Sequence, residues 1–187
     1  LPFKTMRPAM PPPPRVLTIG PSHELMGGMS TVIGQMLQLD FAGRYTVSAL
    51  PITMSTGPGE SGARRIARHV GQRLLLGKTL CESPAAIVHI HTCSGFSFHR
   101  SAWDLRVARR LGCRTVLHMH GAQFDEYFSG ASRLEQRFMR LAFMAADRVV
   151  GVAPLLGTRP PGRAKARDDR PGEVGEGRML EPEEIYA

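Results

Sequence analysis

The sequence predicts an α/β domain: a parallel sheet of about five strands with helices on both faces, followed by a disordered tail. Three observations carry that expectation. Short apolar runs rich in β-branched residues recur along the chain. Segments with helical spacing of apolar residues separate them. The alternation then stops near residue 153. Strands that alternate with helices pair in parallel, because each crossover helix carries the chain back to the edge where the previous strand began.

The elements follow in order. Residues 1–14 form a proline-rich leader, and the run Pro11–Pro14 lacks backbone donors and favours an extended form. Arg15–Gly20, RVLTIG, reads as a buried strand. A loop, PSHELMGGM, carries Gly27 and Gly28 into a helix over 29–39, with Val32, Ile33, Met36 and Leu37 at helical spacing. Tyr45–Leu50 is the second strand, stopped by Pro51, and 53–62 is polar and glycine-rich. A helix over 62–80 aligns Ile66, Val70 and Leu74, with Arg64, Arg65, Arg68 and Arg73 between them. Ala85–His91 is the third strand. A helix over 101–111 aligns Trp103, Val107 and Leu111 and stops at Gly112. Arg114–Met119 is the fourth strand. A helix over 131–146 places Leu134, Phe138, Leu141 and Ala145 on one face, and Asp147–Val152 begins a fifth strand.

The expected strand order is 2-1-3-4-5 with right-handed crossovers. Ligands in such sheets bind beyond the carboxyl ends of the strands. Here those ends are the loops after Gly20, Leu50, His91 and Met119. The domain is expected to span 15–153. The segment 154–187 mixes opposite charges with glycine and proline and has no steady apolar period, so it cannot bury enough surface to offset its ordering entropy. A reading-frame shift near residues 150–157 is the expected origin of that change, with a natural disordered tail as the alternative.

Composition narrows the function. A net charge of +8 and a pI near 10.2 point to an anionic ligand such as a nucleotide phosphate or lipid headgroup, or simply to a solvated basic surface. Basic residues are not interleaved with aromatics and no nucleic-acid motif occurs, so nucleic acid is not an expected partner. Cys81, Cys93 and Cys113 are far apart, which argues against a disulfide framework or zinc ribbon and fits a reducing cytoplasm. No apolar run is long enough to span a bilayer. The arginine-bearing helix over 62–80 could lie on anionic lipid, so peripheral contact at the inner membrane face is an added expectation.

Four features could carry chemistry. Gly27 and Gly28, just before a helix, let the backbone approach a phosphate at the positive end of the helix dipole. The loop is neither GxGxxG nor a phosphate loop, and the second strand lacks the acid that holds a ribose, so a nicotinamide dinucleotide is not expected. A tight turn is the plain alternative. His120, at the end of the fourth strand and followed by Gly121, can hydrogen-bond a sugar hydroxyl or simply cap the strand. The pairs His89/His91 and His118/His120 each share a strand face, and on neighbouring strands the four would cluster. No carboxylate or cysteine completes that set unless Asp125 and Glu126 fold back, so no metal is expected. Finally, the arginines of 62–80 form either a lipid contact or a solvated face.

Two stretches carry a resemblance. RVLTIGPSHELMGGMSTVIGQML is similar to the opening strand, double-glycine loop and helix of family 4 glycosyltransferases. IVHIHTCSGFSFHRSAWDLRVARRLGCRTVLHMHGAQFDEYF resembles their later strands, with the histidine-glycine step at His120-Gly121. The similarity covers roughly residues 15–152. It implies the N-terminal, acceptor-side half of a GT-B fold, built of two Rossmann-like domains around one active site. It implies a retaining enzyme that takes a nucleotide-sugar donor and a glycan, lipid-linked or small-molecule acceptor, with neither metal nor other cofactor. By that resemblance Gly27 and Gly28 contact the donor diphosphate and His120 sits beside the transferred sugar. The family's donor-binding C-terminal domain is expected to be missing. Glu173, Glu176, Glu181 and Glu184 lack the required context, and the chain alone is expected to be inactive, with that domain's surface as its natural partner. A stand-alone sugar- or nucleotide-binding module is the alternative. A flavodoxin-like interaction domain of the response-regulator type is disfavoured, because the strand ends lack an acidic cluster.

Overall fold

A computed structural model describes residues 12–52, 61–121 and 124–151. The leader up to residue 11, most of the glycine-rich stretch 53–62, and the tail 154–187 with its four singled-out glutamates lie outside the described residues. The elements are β1 (Arg15–Gly20), α1 (Gly28–Gln38), β2 (Thr46–Pro51), α2 (Gly62–Glu82), β3 (Ile87–Thr92), α3 (Phe96–Arg110), β4 (Arg114–Met119), α4 (Phe124–Gly130), α5 (Arg133–Ala145) and β5 (Arg148–Gly151). The five strands form one sheet in the order β2-β1-β3-β4-β5, and every neighbouring pair is parallel. This is the α/β architecture and the strand order that the alternating pattern predicts.

The inner strands β1, β3 and β4 bury both faces against helices, which is why their runs read as continuous rather than alternating. On one face Leu17 and Ile19 of β1, Val88 and Ile90 of β3, and Leu117 and Met119 of β4 pack with residues of α2, α3, α4 and α5. On the other, Val16, Ile87 and Val116 pack with Met36 of α1 and with Phe41. All six residues of β3 are buried, as befits the central strand, whereas edge strand β2 is half-exposed and edge strand β5 largely exposed. Among the described residues no helix is long and apolar enough to cross a membrane.

Local sequence sets the helix ends. The Ser61 side chain accepts from the Arg64 N–H at the start of α2, and Ser132 does the same for Glu135 at the start of α5. At the end of α3, Gly112 adopts φ 79°, and its N–H donates to the Arg109 carbonyl while the Cys113 N–H reaches back to Ala108. That pairing is a Schellman stop, and it confirms Gly112 as the terminator. The cysteines Cys81, Cys93 and Cys113 are free thiols.

Three helices differ from expectation in extent or facing. Helix α3 begins at Phe96 rather than 101, and its buried face is Phe98, Ala102, Leu105 and Ala108. Trp103 and Leu111 face outward, with the Arg106 guanidinium 5.0 Å from the Trp103 ring centroid. Helix α2 buries Leu76 and Leu80, so Ile66, Val70 and Leu74 form an outward stripe. Helix α5 buries Met139 and Ala142, leaving Leu134 and Leu141 exposed. Each of these helices carries apolar residues on two faces, and spacing alone does not say which face the sheet takes. Helix α4, absent from the expected elements, is short and puts Phe124 into the core against Phe98 and Phe143.

Candidate functional site

The carboxyl ends of β3 and β4 bring four histidines together. The two strands pair with His91 opposite His118. Residues two apart on a strand share a face, so His89, His91, His118 and His120 project from the same side of the sheet. The ladder continues past β4, because the His120 N–H donates to the Thr92 carbonyl at 2.7 Å. His89 Nε2 lies 3.2 Å from His118 Nδ1, and His91 Nδ1 lies 2.8 Å from His120 Nε2. Each contact is one hydrogen bond between a ring N–H and a ring lone pair. The rings also stack along each strand, with centroids 4.5 Å apart for His89 and His91 and 4.2 Å for His118 and His120.

Burial sets the charge of the cluster. His89 and His91 are fully buried, whereas His118 and His120 are half-buried. Loss of hydration pushes all four below the usual imidazole range, His89 and His91 well below it and His118 to about 4. Repulsion from neighbouring imidazoles adds to that push in His89, His91 and His118. The cluster is therefore neutral at physiological pH. Among the described residues, His91 Nε2 is buried without a hydrogen-bond partner.

Gly20 explains how this face closes. A Cβ there would stand 2.5 Å from Ile33 Cδ1 on α1 and 3.2 Å from the Cβ of His91. Only a glycine at the end of β1 lets the helix and the histidine strand approach so closely.

The double-glycine turn stands at the same carboxyl edge. Gly27 is the N-cap of α1 with φ 149° and ψ 154°, and no side chain caps the helix. Its carbonyl accepts from the backbone and the hydroxyl of Thr31 at 2.9 and 3.1 Å. Gly27 and Gly28 are exposed with open space around them, so the first N–H groups of α1 can be approached from solvent. The turn lies at the end of β1, separated from β4 by β3, so the fold sets Gly27, Gly28 and His120 along one edge without joining them into one cluster. Asp125 and Glu126 occupy the first turn of α4, exposed, and are not among the residues whose ligating atoms converge on the histidines.

Two further polar groups had no clear signal in the sequence. His99 Nε2 contacts Glu135 Oε1 at 3.0 Å and the Tyr127 hydroxyl at 3.2 Å, and that hydroxyl donates to Glu135 at 2.5 Å. Burial and the adjacent carboxylate push the Tyr127 hydroxyl up to about 12, while the hydrogen bonds from Tyr127 and His99 hold Glu135 low. The spacing Ser132–Glu135 advertised a helix start, and nothing advertised Tyr127 on the unforeseen α4. Beneath α2, Asp104 is buried 4.0 Å from the Arg73 guanidinium, and burial pushes its carboxyl up to about 6 against the pull of Arg73 and Arg100. It borders a depression lined by Ile19, Leu50, Ile52 and Leu76, on the sheet face opposite the histidines.

The chain matches the model of the glycosyl transferase 4-like domain over residues 38–158. His120 lies inside that match, and Gly27 and Gly28 precede it. Similar solved structures include a pilus assembly-related protein from Burkholderia pseudomallei K96243, 16% identical, with 74% of this chain and 77% of that one covered at a TM-score of 0.35. A conserved protein from Enterococcus faecalis V583 is 11% identical, with 74% and 91% covered at a TM-score of 0.39. No curated protein matches the chain.

Proposed function

Because the chain belongs to the glycosyl transferase 4-like domain family, we propose that it forms the acceptor side of a retaining glycosyltransferase. In this reading a nucleotide-sugar donor meets the carboxyl edge of the sheet. His120 hydrogen-bonds the transferred sugar, and the N–H groups at the Gly27–Gly28 turn face the donor diphosphate. The observation that carries the reading is the His91–His120 contact of 2.8 Å at that edge. It occupies Nε2 of His120, fixes the plane of the ring, and leaves Nδ1 for a sugar hydroxyl. A neutral ring suits that task, since it can donate or accept without bringing a charge. The uncapped start of α1 supplies partial positive charge where a diphosphate leaving group gains negative charge.

In such an enzyme the donor is gripped mainly by a second Rossmann-like domain. This domain should therefore bind acceptor more readily than nucleotide. Calorimetry of the purified chain with nucleoside diphosphates should give dissociation constants weaker than about 1 mM. Sugar transfer should appear when a donor-binding domain is supplied, and His120→Ala should lower turnover far more than it lowers stability. Tight nucleotide binding without transfer under any condition would favour a stand-alone binding module instead.

Peripheral membrane contact is part of the same proposal. The outward stripe of Ile66, Val70 and Leu74 beside Arg64 and Arg65 supports it, since such a face can enter a headgroup layer. A lipid-linked acceptor would then be met at the surface. Sedimentation with anionic vesicles should retain the chain, and Leu74→Glu should release it.

A further inference from the structure

We propose that His89, His91 and His118 form a binding site for one divalent transition-metal ion of the zinc type. The proposal goes beyond the glycosyl-transfer reading, because binding of the ion requires neither donor nor acceptor.

Geometry comes first. One ring nitrogen from each of the three histidines lies within 4.8 Å of the other two. A tetrahedral ion with nitrogen ligands at about 2.0–2.1 Å holds those nitrogens roughly 3.3 Å apart. His89 Nε2 and His118 Nδ1 already stand 3.2 Å apart. The third nitrogen, within 4.8 Å of both, needs to close by no more than about 1.5 Å to reach tetrahedral spacing. Two histidines at alternate positions of one strand, with a third from the neighbouring strand, converge because the strands pair in register at His91 and His118.

A second observation points to a ligand. His91 Nε2 is buried and without a hydrogen-bond partner among the described residues. A buried polar atom left in that state is unfavourable, and a metal bond would satisfy it. The other nitrogen of the same ring is hydrogen-bonded to His120 Nε2 at 2.8 Å. If His91 donates that bond, its Nε2 keeps a lone pair, which is the arrangement by which outer partners orient metal-ligating imidazoles. His120 would then support the site without ligating.

The donor set selects the ion. Among the described residues the ligating group consists of imidazoles alone, with no carboxylate or thiolate. Calcium and magnesium require oxygen ligands. Neutral imidazoles suit zinc, cobalt, nickel and copper. Three protein ligands leave a fourth position, where water or a substrate oxygen could bind.

The test uses the purified chain, stripped by chelator and titrated with Co²⁺. The expected result is one ion per chain, with the intense visible absorption of a four-coordinate nitrogen site, bleached stoichiometrically by Zn²⁺. His118→Gln and His91→Gln should each weaken binding by more than the ~10–100-fold that loss of an outer partner causes. His23→Gln, at an exposed histidine, should leave it intact. Zn²⁺ should also raise the thermal midpoint of the parent chain and not that of His118→Gln. A weak octahedral spectrum, or binding that survives His118→Gln, overturns the proposal. If His91→Gln does not fold, the parent spectrum and His118→Gln decide it alone.

Discussion

Gly20→Ala tests the packing that brings α1 onto the histidine strands. The new Cβ would meet Ile33 Cδ1 at 2.5 Å, roughly 1 Å inside the ordinary carbon–carbon contact distance. Ile33 is 1% exposed, so its terminal methyl cannot swing away without moving its neighbours. Overpacking of this kind costs about 1–3 kcal/mol. Ile33→Val alone should cost about 0.5–1.5 kcal/mol through the lost methylene. In the double variant the atom removed is the one the new Cβ strikes. The two effects should therefore partly cancel, with a coupling of at least ~1 kcal/mol. Whatever loss remains reflects the second contact, 3.2 Å from the Cβ of His91, which Ile33→Val does not relieve. Equilibrium unfolding of the four proteins in urea at constant m gives the coupling directly. Additivity within about 0.3–0.5 kcal/mol would refute the reasoning, as would a Gly20→Ala protein as stable as its parent.

Other substitutions and conditions follow from the same structure. In metal-free protein, stability should fall as pH drops from 6.5 toward 4, because the unfolded chain takes up protons that the buried histidines refuse. His118 alone, held near 4, accounts for roughly 3 kcal/mol of that loss. Asp104, raised to about 6, returns a similar amount over the same range, and the other groups held low, His89, His91 and His120 among them, set the sign as a loss. A thermal midpoint no lower at pH 4.5 than at pH 7.5 contradicts this. Phe98→Ala should cost about 3–5 kcal/mol in urea unfolding, since the ring is buried against Phe124 and Phe143. Gly112→Ala should cost about 1–2 kcal/mol, because φ 79° strains any residue with a Cβ, and unfolding that is unchanged would deny the Schellman stop its role.

How much of this was legible depends on which physical signal each feature carries. The strands were readable because β-branched runs such as RVLTIG and TVLHM have few other ways to bury both faces. Their order followed from topology rather than from any residue. The histidine cluster was readable conditionally. The spacing put His89 with His91 and His118 with His120, and only the adjacency of β3 and β4 could join the pairs. Helix facing was not readable. Spacing aligned Trp103, Val107 and Leu111, whereas α3 turns Phe98, Ala102, Leu105 and Ala108 inward. In α2 the stripe with the strongest aliphatic spacing is the one left outside. Helix α4 escaped because seven residues give too few turns for a period to show.

One side of the sheet changes character along its own strands, and that gradient separates folding from function. Following β3 from Ile87 to His89 to His91, and β4 from Val116 to His118 to His120, the side chains go from aliphatic to imidazole toward the carboxyl edge. The aliphatic rung belongs to the cluster with Val16, Met36 and Phe41. The first imidazole, His89, is as buried as that rung, whereas His118 and His120 on β4 are half-open. An imidazole in a dry interior loses hydration that an aliphatic side chain never had, and the His89–His118 bond offsets part of that loss. Truncating His89 therefore empties a fully buried position and takes the hydrogen-bond partner from half-buried His118, and should destabilise the fold. Truncating His120 takes the 2.8 Å partner from His91, but it removes a half-buried ring at the open edge, where water can replace the lost bond, and should cost less than truncating His89. If the two positions lose stability equally, the imidazoles are one structural block and the edge holds no separable site. If they diverge in this order, the same strands that build the core also deliver chemistry at their ends, and His120 can change in role without the fold being rebuilt.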